Sequence, residues 1–202
     1  MLKTFVIGGY ATNCYLLADE ESKEAIVVDP GGDPKELLQE LKNWKVTYIV
    51  LTHGHADHIA GIPGVKEQTN AEILIHSEDA SCLTDKGKSL LAFLGRDVQL
   101  PPADKIMQEG DEIKIGSIKL KVVHTPGHTV GGVCLIGNGY VFSGDTLFAG
   151  SIGRSDFPGG SHSQLIQSIK DKLLPLPDDT EVYCGHGPST TIGIERESNP
   201  FL

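Results

Sequence analysis

Short apolar runs punctuated by glycine, proline and asparagine set the rhythm of this chain. TNCYLLA and EAIVVDP are two such runs, the second stopped by Pro30 and two glycines, and each predicts a strand. DPKELLQELKNW predicts a helix, because Leu37, Leu38, Leu41 and Trp44 share one face at helical spacing. Asp33 stands where a cap is expected, Pro34 suits the first turn and Glu36 completes a box-like pattern. On that reading Trp44 is a core residue. VTYIVLT and AEILIH predict buried strands. DEIKIGSIKLKVVH predicts a hairpin turning at Gly116 and Ser117, with Ile118, Leu120 and Val122 facing in and Lys119 and Lys121 facing out. GVCLIGNGYVFSGDT repeats that pattern around Asn138 and Gly139. SHSQLIQSIKDKLLPLP predicts an amphipathic helix with Leu165, Ile166, Ile169 and Leu173 on one side, ended by Pro175, and EVYCGHG a last short strand.

Strand hairpins mixed with helices argue for an α/β fold, a mostly antiparallel or mixed sheet covered by helices. No stretch reads as an interdomain linker, and 202 residues suit one well-buried domain covering residues 1–202. Composition changes the picture in two places. The 24 glycines imply many tight turns and close backbone approaches. A formal net charge of −10 repels phosphate backbones and anionic lipid heads, which argues against nucleic acid or a membrane as partner. Glycines interrupt the apolar start MLKTFVIGGYATNCYLL, so it does not read as a signal peptide, and no run approaches the roughly 20 residues of a spanning helix. Cys14, Cys82, Cys134 and Cys184 form no C-x-x-C pair. Reduced thiols in a cytoplasmic protein are the expectation.

The candidate chemistry lies in LTHGHADHIAG, directly after the run YIV. Alternate residues of an extended segment point the same way, so His53 and His55 converge on one point. The chain then turns, and Asp57 and His58 open the next segment in another direction, which places two sites side by side. Imidazole and carboxylate are ligands for zinc, iron or manganese, and a histidine-rich set favours zinc or iron. His-x-His-x-Asp-His arises by accident in about one such chain in a thousand, and context has to support the match. His128 in HTPGHTVGG, Asp145 in VFSGDTLF and His186 in VYCGHGP each follow a strand in a glycine-rich turn, where site residues collect. His76, His124 and His162 lack that context. His76 and His162 read as surface or capping residues, His124 as a core or supporting one.

THGHADHIAG, TPGHTVGG, FSGDTLF and CGHG resemble, in order, the metal-ligand motifs of the metallo-β-lactamase superfamily. The resemblance runs from about Asn13 to His186. It implies an αββα sandwich, two mixed β-sheets flanked by helices, with a metal centre along one edge. It further implies that one metal takes His53, His55 and His128, that a second takes Asp57, His58 and His186, and that Asp145 bridges them. Asp29 in VVDPGG matches a family position that supports a ligating histidine or its loop.

Within that superfamily the chain is most similar to short, single-domain glyoxalase II-type thioester hydrolases. The resemblance implies two divalent cations, zinc or alternatively iron or manganese. It implies attack on a small-molecule thioester by a water whose pKa they lower. Asp57 is primarily a ligand on this reading, with proton handling as a secondary catalytic role. Only GPSTTIGIERESNPFL follows His186, so the helical C-terminal domain that supplies glutathione contacts in larger relatives has no counterpart. Arg154 in GSIGRSDFPGG occupies the place of a basic substrate contact, and its alternative is pairing with Asp156 or another loop carboxylate. GRSDF also resembles the loop of iron persulfide dioxygenases, which on this chain would use a single iron on His53, His128 and Asp145. A non-enzymatic metal-binding module is a third reading, disfavoured because a closed structural site uses four ligands, often cysteines.

Overall fold

The structure, a computed structural model, describes residues 1–94 and 98–202. Strands β1 (Leu2–Ile7), β2 (Thr12–Ala18), β3 (Glu24–Val28), β4 (Lys45–Val50), β5 (Glu72–His76) and β6 (Lys105–Met107) form one sheet in that order. The first two junctions are antiparallel, because tight turns join those strands. The last three are parallel, since parallel neighbours need crossovers. Helix α1 (Lys35–Leu41) supplies the crossover between β3 and β4, and α2 (Ala56–Ile59) with α3 (Ile62–Thr69) the one between β4 and β5.

Strands β7 (Glu112–Ile115), β8 (Ile118–His124), β9 (Val133–Ile136) and β10 (Tyr140–Gly144) form an antiparallel meander. A small hairpin of β11 (Leu147–Phe148) and β12 (Ser151–Ile152) follows. The chain then passes through helix α4 (His162–Ser168) and returns as β13 (Glu181–Cys184), parallel to β10. Strand β14 (Thr190–Thr191) and helix α5 (Ile192–Ser198) complete this half. The second sheet runs β14-β13-β10-β9-β8-β7.

The period of two along each strand divides the interior into layers. On β2, Tyr15 and Leu17 pack between the sheets with Ile26, Val50, Leu120 and Phe142. Their neighbours Cys14, Leu16 and Ala18 face the other way, into a cluster with Leu37 of α1 and Val65 of α3. Val141 and Val182 meet Leu165, Ile169 and Ile192 of the opposite helical layer. The order is therefore helix, sheet, sheet, helix, and both sheets are mixed. This is the αββα sandwich implied by the motif resemblance.

Several local expectations needed correction. Asp33 does not cap α1. Pro34 is the N-cap residue in extended conformation and makes no side-chain cap bond, and Asp33, one residue too early, lies beside Gly64 of α3. Trp44 lies beyond the end of α1, where it is half-buried against the first cluster and its indole N–H donates to Glu40 at 3.3 Å. The predicted amphipathic helix continues past α4 as a π-helical segment over Ile169–Leu173. That i→i+5 widening keeps residues spaced by four on one line, and Leu165, Ile169 and Leu173 are all fully buried. His76 is not a surface residue: it is 6% exposed and stacks on His124 with ring centroids 4.1 Å apart. His124 in turn binds the Val130 carbonyl at 2.8 Å. All four cysteines are free and buried. Among the described residues no helix is long and apolar enough to cross a membrane.

Candidate metal centre

The segments that leave β3, β4, β8, β10 and β13 meet at one place, and each carries a candidate residue. Strand β4 ends at Val50, two residues earlier than its apolar pattern suggests. The chain bends at Thr52 and His53, then runs extended into His55, the N-cap of α2. Asp57 and His58 lie in that short helix. The change from extended to helical backbone aims the two pairs in different directions. His128 follows β8, Asp145 follows β10 and His186 follows β13.

The structure brings all seven together. His53 Nε2 lies 3.3 Å and His55 Nδ1 2.8 Å from His128 Nε2. In the second set, His186 Nε2 lies 3.3 Å from His58 Nε2 and 3.3 Å from Asp57 Oδ2. Asp145 stands between the sets. Its Oδ1 is 3.3 Å from His58 Nε2, and its Oδ2 is 3.5 Å from both His128 Nε2 and His186 Nε2. Two ligands each about 2.0–2.1 Å from one tetrahedral ion lie about 3.3–3.4 Å apart, so most of these separations match a shared cation. Asp145 Oδ1 is buried and forms no hydrogen bond. A buried carboxylate oxygen without a donor is costly, and a cation between the two sets satisfies it. The donor set fits divalent metal ions.

Contacts behind the ring fix which nitrogen faces the centre. His128 Nδ1 donates to the Arg154 carbonyl at 2.6 Å and His186 Nδ1 to the Tyr10 carbonyl at 3.0 Å, so Nε2 is the ring nitrogen that each turns inward. Asp29 does the same for His58, with Nδ1 2.9 Å from its Oδ2. Asp29, His53 and His58 also form a compact triad, but the Asp29 carboxylate is already engaged by the Thr52 N–H at 2.7 Å and the Thr52 hydroxyl at 2.5 Å. Asp29 therefore acts from behind His58. It holds a φ of 51°, a left-handed conformation that aspartate tolerates better than most residues. The Thr12 hydroxyl donates to Asp57 at 3.1 Å.

Protonation follows from this crowding. Burial, and then the neighbouring imidazoles, push His53 well below the usual histidine range and His55 down to about 4. Both keep free lone pairs at neutral pH. Burial works against charge on His58 and His186, yet Asp145 and its fellow carboxylates override it, raising His58 and lifting His186 to about 10. Burial likewise opposes ionisation of Asp57 and Asp145, but His186 and His58 hold Asp57 near 2 and Asp145 well below its ordinary range. The protons on His58 and His186 supply the positive charge that the carboxylates demand. A divalent cation supplies the same charge and displaces those protons.

A cavity of about 480–640 Å³ lies on either side of Tyr10 and Asp57. The larger one opens onto His55, His128, Asp145 and His186 and is walled by Tyr10, Leu90, Phe148, Ile152 and Phe157. Arg154 lines it too, but the guanidinium is paired bidentately with Asp156 at 2.8 Å and stacked 3.8 Å over the Phe157 ring. His76 and His124 lie outside the cluster, and His162 begins α4 behind the Ser161 cap. Sequence reasoning did not find Thr12, whose hydroxyl has no motif, or Tyr10, which acts through its carbonyl.

A family profile described as the metallo-beta-lactamase superfamily matches residues 7–186. The chain belongs to that superfamily. It is 39% identical to hydroxyacylglutathione hydrolase GloC of Haemophilus influenzae, over 97% of this chain and 95% of that protein. Among solved structures it is similar to the BLEG-1 B3 metallo-beta-lactamase, with a TM-score of 0.94 and 39% identity over 100% of this chain and 99% of the other. It is also similar to TTHA1623 in a di-iron-bound form, with a TM-score of 0.86 and 34% identity over 99% and 100% of the two chains. The superfamily, the relatives named as hydrolases and the His/Asp cluster together support a metal-dependent hydrolase.

Proposed function

We propose that this protein is a binuclear metallohydrolase acting on small-molecule thioesters. The observation that carries the binuclear reading is Asp145, whose carboxylate lies within 3.3–3.5 Å of ligand atoms from both sets and leaves a buried oxygen without a donor. His53, His55 and His128 would hold one cation, Asp57, His58 and His186 the other, and Asp145 both. Zinc suits this histidine-rich set, with iron or manganese as the alternatives. Two such ions supply Lewis acidity and a nucleophilic water at neutral pH.

The chain's own groups divide the remaining work. Asp29, Thr12 and the Tyr10 and Arg154 carbonyls hold the ligands in place. Burial opposes charge on Asp57, but His186 and His58 keep it ionised, which suits a ligand. A thioester suits such a site because its thiolate leaves without needing a proton. The similarity to a protein named hydroxyacylglutathione hydrolase supports the same class. The aromatic walls of the larger cavity exclude water around the acyl group and orient it. Arg154, paired with Asp156, can meet an anionic substrate group only by giving up that partner.

A single-iron dioxygenase on His53, His128 and Asp145 leaves Asp57, His58 and His186 converging without a purpose, so the binuclear reading accounts for more of the site. Elemental analysis of protein purified without added metal should find two ions per chain. The same protein should hydrolyse S-D-lactoylglutathione, consume no oxygen with glutathione persulfide and leave the lactam nitrocefin largely intact. One iron per chain with oxygen uptake would overturn the proposal, and nitrocefin turnover exceeding thioester turnover would overturn its substrate class.

A further inference from the structure

The turn after β5 buries a carboxylate that belongs to neither ligand set. Asp79 is 1% exposed. Its Oδ2 accepts from the Gly54 N–H at 2.9 Å and from the Thr129 hydroxyl at 2.8 Å, and its Oδ1 accepts from the Gly131 N–H at 2.8 Å. Gly54 separates His53 from His55, while Thr129 and Gly131 follow His128. One carboxylate thus ties together the two segments, 73 positions apart at His55 and His128, that present the first three histidines.

Packing removes the slack around those bonds. A Cβ added at Gly54 would lie 2.5 Å from Cys82 Cβ, and one at Gly131 would lie 2.5 Å from the Asp79 backbone nitrogen. Only glycine lets either backbone approach the turn closely enough to donate. The second set is braced elsewhere, by Asp29 behind His58, Thr12 beside Asp57 and the Tyr10 carbonyl behind His186.

We infer that Asp79 is the positioning residue of the first metal site alone. It sets the spacing between the His53–His55 segment and His128, and through that spacing the site's affinity, while the second site is independent of it. The inference rests on the reading of His53, His55 and His128 as ligands of one cation. Carboxylate hydrogen bonds to N–H and O–H donors are charge-assisted and strong, and supports of this kind affect metal affinity by about 10–100-fold.

The test titrates zinc into metal-stripped, full-length protein against a chromophoric competing chelator. In a His58→Ala background only the first set is complete, and Asp79→Ala should weaken zinc binding there by about 10–100-fold. In a His53→Ala background only the second set is complete, and the same substitution should change affinity by less than about twofold. Thr129→Val removes one hydrogen bond and should weaken the first site by about fivefold; it carries the test if Asp79→Ala does not fold by circular dichroism. Equal losses in both backgrounds, or no loss in the first, would overturn the role of Asp79. Zinc binding by the unmutated protein reads the ligand assignment separately: two ions with an unchanged Asp79→Ala isotherm sinks only the positioning role, and no binding at all sinks both.

Discussion

At the scale of single residues, Asp145 concentrates the chemistry. Its carboxylate is the group that approaches both ligand sets. Asp145→Ala should therefore lose both metals of the proposed centre, and with them at least about a hundredfold in hydrolase rate, more than a supporting residue would cost. Elemental analysis after gel filtration checks this, and two tightly held ions in that variant would refute the bridging assignment. The residues of this cluster were legible because ligands keep their chemistry in their side chains and their spacing in the sequence. His53, His55, Asp57 and His58 announce themselves within six positions. Their supports did not. Thr12 and Asp79 are ordinary polar residues whose significance depends on which distant segment they meet, and Tyr10 contributes a carbonyl that any residue carries. Arg154 was legible as a candidate with pairing to Asp156 as its alternative, and the fold shows that pair together with a stack on Phe157 that the sequence did not announce.

At the scale of elements, legibility followed the strength of the period. Hairpins with alternating faces and a turn glycine, such as Ile115 opposite Ile118 across Gly116 and Ser117, read directly from the chain. The edge strand β1 did not, because its residues are mostly exposed or half-exposed and show no clean alternation. The four-residue α2 is too short for any helical period, and its form comes from the turn that aims Asp57 and His58. Across α4 and the π-helical segment after it, the spacing of four through Leu165, Ile169 and Leu173 was legible, whereas the π-helical widening was not. Leu165 is fully buried among Val141, Val182 and Ile192. Leu165→Ala should destabilise the protein by about 2–5 kcal/mol, read as a lower urea midpoint with an unchanged slope. A loss below about 0.5 kcal/mol would mean that α4 does not anchor this layer as described.

At the scale of the whole molecule, polar ties join the two sheets, and one of them depends on charge. Asp19, in the turn after β2, accepts from Glu21 and Ser22 in its own turn, and from the Ser117 hydroxyl at 2.6 Å and N–H at 2.8 Å across the β7–β8 turn. The Ser117 hydroxyl, followed by the backbone donors, holds its carboxyl well below the usual range. A carboxylate lowered on folding stabilises the fold above its unfolded pKa of about 3.9 and loses that contribution as pH falls through the lower folded value. The stability gap between the unmutated protein and Asp19→Asn should be full at pH 7 and shrink at pH 3 and below. A gap that stays constant in urea melts at the two pH values would show that the Asp19 charge is not what matters.

The candidate metal centre would be a further tie. His53, His55, Asp57 and His58 follow β4 of the first sheet, while His128, Asp145 and His186 follow β8, β10 and β13 of the second. A cation held by both groups binds the folded arrangement and not the separated segments, so mass action adds its binding energy to stability. At a free concentration one hundred times Kd each site contributes about 2.7 kcal/mol. For a chain of this size 1 kcal/mol moves Tm by about 2–4 °C, so two occupied sites correspond to an upward shift of roughly 10–20 °C. Stripping the protein with a chelator should lower Tm by that order, and restoring zinc should recover it. His186→Ala should retain only part of the shift, because it leaves the first set complete. If chelation leaves Tm unchanged while removing both ions, the centre does not clamp the two sheets, and the sandwich is held together by the interior around Tyr15, Val50, Leu120 and Phe142 without its help.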